Sequence, residues 1–196
     1  MAENLQTQIL HAARSRFRHY GYAKTAMQEI AEDCGMSAAN LYRYYENKQA
    51  IAAAVVTADR TQLYEACQRE VAQAGPQVAP ALTALFGTVI DTTRRQLKQS
   101  PLLFELGMAV TREMPALRAQ VLGEIRRMIV AIVQAGEARG ELPAGDAEGR
   151  AEQILLAGAA FVMPWLLLNQ PFGDPRDKVG PLMNCLVAGL NAETHR

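Results

Sequence analysis

Between Thr25 and Lys48 the chain carries side chains suited to gripping and reading a nucleic acid. Asn40 offers a donor and an acceptor on one amide, the combination that matches a base edge in a major groove. Ala38 and Ala39, just before it, are small enough to let the backbone approach closely. Ser37, Tyr42, Tyr44 and Lys48 can reach phosphates, which position a duplex without reading it. No comparable set points to bond-breaking chemistry. The histidines His11, His19 and His195 stand apart from any Cys or carboxylate cluster at metal-ligand spacing. Neither a phosphate-cradling Gly loop nor a Gly-x-Ser-x-Gly turn is present. The expectation is a binding protein, not an enzyme, with no cofactor and no metal.

The elements that must position these residues follow from apolar spacing. Leu5, Ile9, Ala13, Phe17 and Tyr20 form one stripe of a first helix, which Gly21 ends. Thr25-Ala26-Met27-Gln28 fits a capping box with the Thr25 hydroxyl at the cap. Met27, Ile30, Ala31 and Cys34 then mark a short second helix, stopped by Gly35. Ser37 caps a third helix, Ala38 to Tyr45, with Leu41 and Tyr45 inward. Short helix, Gly turn, short helix is the spacing of a helix-turn-helix, with the outer face of the third helix free for a groove. A plain helical hairpin shares that spacing, so the residue types must decide.

Asn47 caps a long fourth helix from Lys48 towards Ala74. Further helices fall at about 79–98, 102–110, 115–139, 147–169 and 175–192, separated by Pro- and Gly-containing breaks. Pro164 and Pro181 lie inside helical patterns, where each must kink its helix or mark a boundary. With no sustained period-two run, the fold class is all-α. The division reads as a three-helix DNA-binding domain over 1–47, followed by a larger helical effector-binding and dimerisation domain over 48–196.

Composition sets outer limits. Hydrophobic residues make up 49% and charged residues 20%, which supports a packed core rather than disorder. Twenty basic residues balance twenty acidic ones, so nucleic-acid affinity must come from a local cluster. Arg14, Arg16, Arg18, His19 and Lys24 form such a run with no acid among them. Cys34, Cys67 and Cys185 are odd in number and far apart, which fits a reducing compartment. No signal peptide opens the chain. The apolar run Ile154 to Leu168 falls short of the ~20 residues of a membrane span. A soluble, cytoplasmic protein is expected, with no membrane partner.

Three blocks then resemble the tetracycline-repressor (TetR) family at fixed spacing. They are Phe17-Arg18-His19-Tyr20-Gly21-Tyr22-Ala23-Lys24-Thr25, Ile30-Ala31-Glu32-Asp33-Cys34-Gly35-Met36-Ser37 and Leu41-Tyr42-Arg43-Tyr44-Tyr45-Glu46-Asn47-Lys48. The match covers roughly residues 5–55. It implies that the third helix is the recognition helix, that Tyr42 and Lys48 hold phosphates, and that Tyr44 is a contact position. It also implies that Gln28 can reach the groove. The full DNA-contact set is therefore Thr25, Gln28, Ser37, Ala38, Ala39, Asn40, Tyr42, Tyr44 and Lys48. Three departures stand out: Ala26 replaces a hydroxyl, Cys34 replaces Ala as core or redox sensor, and Tyr45 replaces a core Phe.

The resemblance further implies that the last two long helices form a homodimer interface. The nearly all-round apolar stretch Ile154–Met163 supports this independently, because such a helix must be buried on more than one side. Interface candidates are Leu155, Gly158, Ala159, Val162, Leu182, Leu186 and Leu190. Effector-pocket candidates are Phe86, Ile90, Leu103, Phe104, Met108, Met128, Phe161 and Trp165, with Glu105 and Arg112 as polar anchors. As a set they favour a small apolar or aromatic effector. The functional expectation is a ligand-responsive regulator, acting as a repressor that binds double-stranded palindromic DNA as a homodimer. The alternative is a helical small-molecule-binding or architectural protein without ligand-controlled DNA release.

Overall fold

The structure is a computed structural model that describes residues 4–169, 171 and 173–192. Among the described residues there are eleven helices and no strand. They are α1 (Leu5–Tyr20), α2 (Met27–Asp33), α3 (Ala38–Leu41), α4 (Lys48–Gln73), α5 (Val78–Gln99), α6 (Pro101–Glu113), α7 (Pro115–Ala138), α8 (Ala147–Ala157), α9 (Ala159–Val162), α10 (Pro164–Asn169) and α11 (Pro175–Ala192). The chain forms two compact units, residues 1–61 with 95–118, and 62–94 with 119–196. These units differ from the 1–47 and 48–196 division read from the sequence. The long helix α4 is shared between them, and α6 packs on α1 in the first unit.

The first unit closes on the Leu5 to Phe17 part of the stripe read from the sequence, while Tyr20 is 62% exposed. Ile9, Ala13 and Phe17 of α1 meet Ile30 and Ala31 of α2, Leu41 of α3, and Ile51, Ala52, Val55 and Val56 of α4. Leu103, Leu106 and Val110 of α6 complete the cluster. Gly21 ends α1 at φ 84, a backbone state that side chains with a Cβ rarely adopt, and donates its N–H to the Phe17 carbonyl. Gly35 turns the chain between α2 and α3 at φ 65. Asn47 starts α4 by accepting from the Ala50 amide at 2.8 Å.

In the second unit the core runs from Leu63 and Cys67 through α5 and α7 to α8 and α11. Phe86 meets Phe161 edge-on, with ring centroids 6.2 Å apart. The helix expected over 147–169 is three short ones. Gly158 sits against the Phe86 ring, where an added Cβ would come within 2.6 Å of ring carbons. Met163 is extended (φ −88, ψ 109), as a residue before proline prefers, and Pro164 opens α10. Pro181, by contrast, stays inside α11. Asp174 starts that helix by accepting from the Arg176 amide at 2.8 Å.

Phe86→Ala removes a fully buried ring and its partner contact. It should lower unfolding free energy by about 3–5 kcal/mol, read by chemical denaturation.

Candidate nucleic-acid interface

The reader is built from α1 upward. The Arg16 guanidinium bridges α1 to α2, with Nε 2.5 Å from Asp33 Oδ2, NH2 2.8 Å from Oδ1 and NH1 3.2 Å from Glu29. Arg14 reaches Asp59 of α4 at 2.8 Å. Two of the five basic residues of that run, Arg14 and Arg16, are thus spent on internal ion pairs. Arg18, Lys24 and Arg43 make no ion pair among the described residues and are exposed. Arg43 was missed in the sequence, although it stands between the two tyrosines already singled out.

The α2 cap differs from the expected one by a single residue. Ala26, not Thr25, is the N-cap, and its amide donates to the Glu29 carboxylate at 2.7 Å. Thr25 is 2% exposed and its hydroxyl donates to the Gly21 carbonyl at 2.9 Å. Its hydroxyl is therefore turned towards the end of α1. Gln28 lies exposed on α2, and its amide donates to Glu32 at 3.0 Å.

The third helix is shorter than the expected 38–45. Only Ala38–Leu41 is α-helical, and turn hydrogen bonds from Arg43, Tyr44 and Tyr45 carry the coil onward. Ser37 caps it by accepting from the Asn40 amide at 3.2 Å. Leu41 is fully buried, while Ser37, Ala39, Tyr42 and Tyr44 are exposed and Ala38 is half-buried. The Asn40 side-chain nitrogen donates to the Met36 sulfur at 4.0 Å, and its side-chain oxygen has no hydrogen-bond partner among the described residues. Tyr45 is half-buried against the core, and burial pushes its hydroxyl pKa up.

Lys48, expected as a phosphate ligand, is half-buried at the start of α4. Its ammonium donates to the carbonyls of Thr25 at 2.6 Å and Tyr22 at 2.7 Å, stands 3.5 Å from that of Ala23, and lies 4.4 Å from the Tyr22 ring centroid. Cys34 packs partly inside the core with its thiol 3.8 Å from the Gln8 carbonyl. Burial and the nearby Asp33 push its pKa up, which argues against a reactive thiolate.

The second unit holds a cavity of about 690 Å³ between α4, the 75–76 turn, Ala81 of α5 and α7. Val71, Ala72, Met128, Ala131, Ile132 and Ala135 make its apolar walls, with Gln68, Glu124, Arg127 and Arg139 as polar groups. Arg127 pairs with Glu124, and Arg139 with the Pro76 carbonyl and Glu141.

Two family models match the chain: "Bacterial regulatory proteins, tetR family" over residues 9–55, and "Tetracyclin repressor-like, C-terminal domain" over residues 79–177. The chain belongs to the TetR family. It is a transcriptional regulator with a DNA-binding helix-turn-helix. The HTH-type transcriptional regulator UidR of Escherichia coli K12 is 32% identical over 59 residues, which is 30% of this chain and only 30% of that regulator's length. A transcriptional regulator structure from Pseudomonas aeruginosa PAO1 superposes with a TM-score of 0.68 at 18% identity, covering 97% of this chain and 92% of that one. SmeT, described as the repressor of the Stenotrophomonas maltophilia multidrug efflux pump SmeDEF, gives 0.60 at 16% identity, covering 94% and 89%. At such identities these structures establish the fold.

Within this TetR-family chain the remaining candidates separate. Of the eight pocket residues, Met128 alone lines the cavity. Phe86, Ile90 and Phe161 are core residues of the second unit. Leu103 is buried in the first unit's core, Phe104 and Met108 are half-buried on α6 there, and Trp165 is 59% exposed. Glu105 and Arg112 are exposed on α6. Of the interface candidates, Gly158 packs on Phe86 of its own chain and Leu190 belongs to its core. Leu155, Val162, Leu182 and Leu186 are half-buried against that core, and Ala159 is also half-buried. The large exposed apolar groups described in the second unit are instead Leu156, Trp165 and Leu168. Leu156 was hidden in the sequence by an apolar stretch with no polar side to orient it. No helix among the described residues is long and apolar enough to cross a membrane, and no three of their His, Cys, Asp or Glu side chains cluster to hold a metal. His195 lies outside the described residues.

The hydrogen-bonded Arg16 guanidinium holds the Asp33 carboxyl below its ordinary pKa. Stability from the pair is therefore fully present above about pH 3.9 and is lost as pH falls through the lower folded value. Because the side chains are partly exposed, Asp33→Asn should cost no more than about 1 kcal/mol at pH 7. The difference from wild type should vanish in acid, followed by thermal melts across pH.

Proposed function

We propose that this regulator is a repressor that binds a palindromic operator as a homodimer and is released by a small apolar or aromatic effector. The observation that carries the DNA-reading half is the outer side of α3. There Ser37, Ala39, Tyr42 and Tyr44 are exposed beside the unpartnered Asn40 amide oxygen and the unpaired Arg43. Small residues admit the backbone to the groove, the amide reads a base edge, and the flanking hydroxyl and guanidinium groups hold phosphates. Gln28, on α2, adds a polar group beside them.

A dimer supplies the second reader that a palindrome requires. Leu156, Trp165 and Leu168 support that assembly, since large exposed apolar groups mark association surfaces. The interface would then use the outer sides of α8, α10 and α11, with Leu155, Ala159, Val162, Leu182 and Leu186 behind them.

The effector site is the α4–α7 cavity. Its volume falls within the range of small-molecule pockets, roughly 300–1,000 Å³. Both arginines at its edge already have partners, which favours an uncharged ligand over an anionic one. A ligand preferring one arrangement of α4 shifts the population away from the DNA-competent state. About 1–3 kcal/mol of coupling changes affinity 5–150-fold. The repressor sign draws support from the role printed for SmeT.

The test begins with duplexes selected by the protein from a random pool. Asn40→Ala should cost about 1–3 kcal/mol of binding and relax preference at one base position. Equal binding to unrelated duplexes by the wild type would favour an architectural protein. For the effector half, Ala131→Trp should fill the cavity and abolish release by compounds found in a thermal-shift screen, with DNA affinity retained. A compound that stabilises the wild type but leaves DNA affinity untouched would refute the coupling.

A further inference from the structure

In the second unit α4 and α7 are fastened to each other at two places. The Tyr64 hydroxyl of α4 donates to the Val121 carbonyl of α7 at 3.4 Å. Further along both helices the Arg139 guanidinium, just past α7, donates to the Pro76 carbonyl, just past α4. Between these ties the facing side chains are short. Ala72 and Gly75 on one side, and Ala131 and Ala135 on the other, leave the space between the helices unfilled, and the cavity of about 690 Å³ occupies it.

Helix geometry sets the shape of that space. Its α7 wall runs from Glu124 to Arg139 in successive turns of one face, about 22 Å at the rise of an α-helix. Spread over that length, 690 Å³ leaves a mean cross-section of about 30 Å². A helix of another chain, about 10 Å across, needs more than twice that. An extended hydrocarbon chain fits a long, thin trough, whereas a compact fused-ring molecule leaves most of its length empty.

The chemistry changes along the trough. Val71, Met128, Ile132 and the alanines make its middle apolar. Glu124 with Arg127 stands at one end and Arg139 with Glu141 at the other, so each charge already faces its opposite. Gln68, one helical turn beyond Tyr64, lines the Glu124 end, and its side-chain amide has no hydrogen-bond partner among the described residues. An amide offers a donor and an acceptor, the match for an uncharged hydroxyl or carbonyl.

We propose that this cavity takes an unbranched aliphatic chain with an uncharged hydroxyl or carbonyl end group. The end group sits at Gln68, and Ala135 sets the length of chain admitted. The proposal rests on the cavity assigned above as the effector site and narrows its occupant to a linear molecule. The stretch from Arg127 to Arg139, about 18 Å, holds roughly fourteen extended carbons at ordinary bond lengths and angles.

The probes are straight-chain primary alcohols of six to sixteen carbons, kept below their solubility limits and bound to the full chain in equilibrium dialysis. Affinity should rise about fourfold per added carbon, as burial of each methylene predicts, and stop rising near fourteen carbons. Ala135 is exposed on its helix, so Ala135→Leu leaves folding intact. It should bring the stop about four carbons earlier, one helical turn, and leave the shortest alcohols unaffected. Gln68→Leu should weaken every alcohol by about the same factor, roughly fivefold, without moving the stop. A rise that continues through sixteen carbons overturns the proposal, as do absence of binding and a stop that Ala135→Leu fails to move. If the alcohols bind with the expected stop but leave affinity for a selected duplex unchanged, the linear fit stands and the effector role of the cavity falls. If they do not bind while a compact compound from the thermal-shift screen fills the cavity and releases DNA, the effector site stands and the linear fit falls.

Discussion

A four-residue helix cannot hold itself together, since a single turn fixes several residues for very few hydrogen bonds. α3 is such a helix, and it exists because Leu41 is driven into the core formed by Phe17, Ile30 and Ile51. Burial of that one side chain orients the rest of the turn. Once Leu41 points inward, Ser37 and Ala39 face out, and the Asn40 amide stands at the edge of the same surface. The exposed outer side of α3 is the consequence of an inward hydrophobic contact.

Polar fastenings then fix where the turn sits. Arg16 ties α1 to α2, Arg14 ties α1 to α4, and Lys48 ties the start of α4 to the turn before α2. Three cations that look like nucleic-acid ligands in a linear chain are thus occupied within the protein. Arg18, Lys24 and Arg43, by contrast, are exposed and make no ion pair among the described residues.

Helix content and the reader were legible in the sequence because their signals are local: α1, with its stripe and Gly21, falls at Leu5–Tyr20 as read. What was not legible depends on distant partners. The Thr25 hydroxyl reads as a cap until the Gly21 carbonyl is seen beside it. Gly158 reads as a site of close approach between subunits until Phe86 of the same chain is seen to fill that space. Apolar residues in the middle of the chain cannot be sorted by composition into core and cavity wall. Phe86 and Met128 look alike on that basis, and only the packing of α4 against α7 separates them. The small residues Ala131 and Ala135, which make room for the cavity, carried no signal because alanine is equally at home on any helix face.

The most direct measurement is amide hydrogen exchange of the full chain with and without a duplex it has selected. Strong added protection should be confined to residues 37–44 and the nearby N-terminus of α2. Protection elsewhere with none over residues 37–44 would contradict the assignment of α3 as the element that enters the groove.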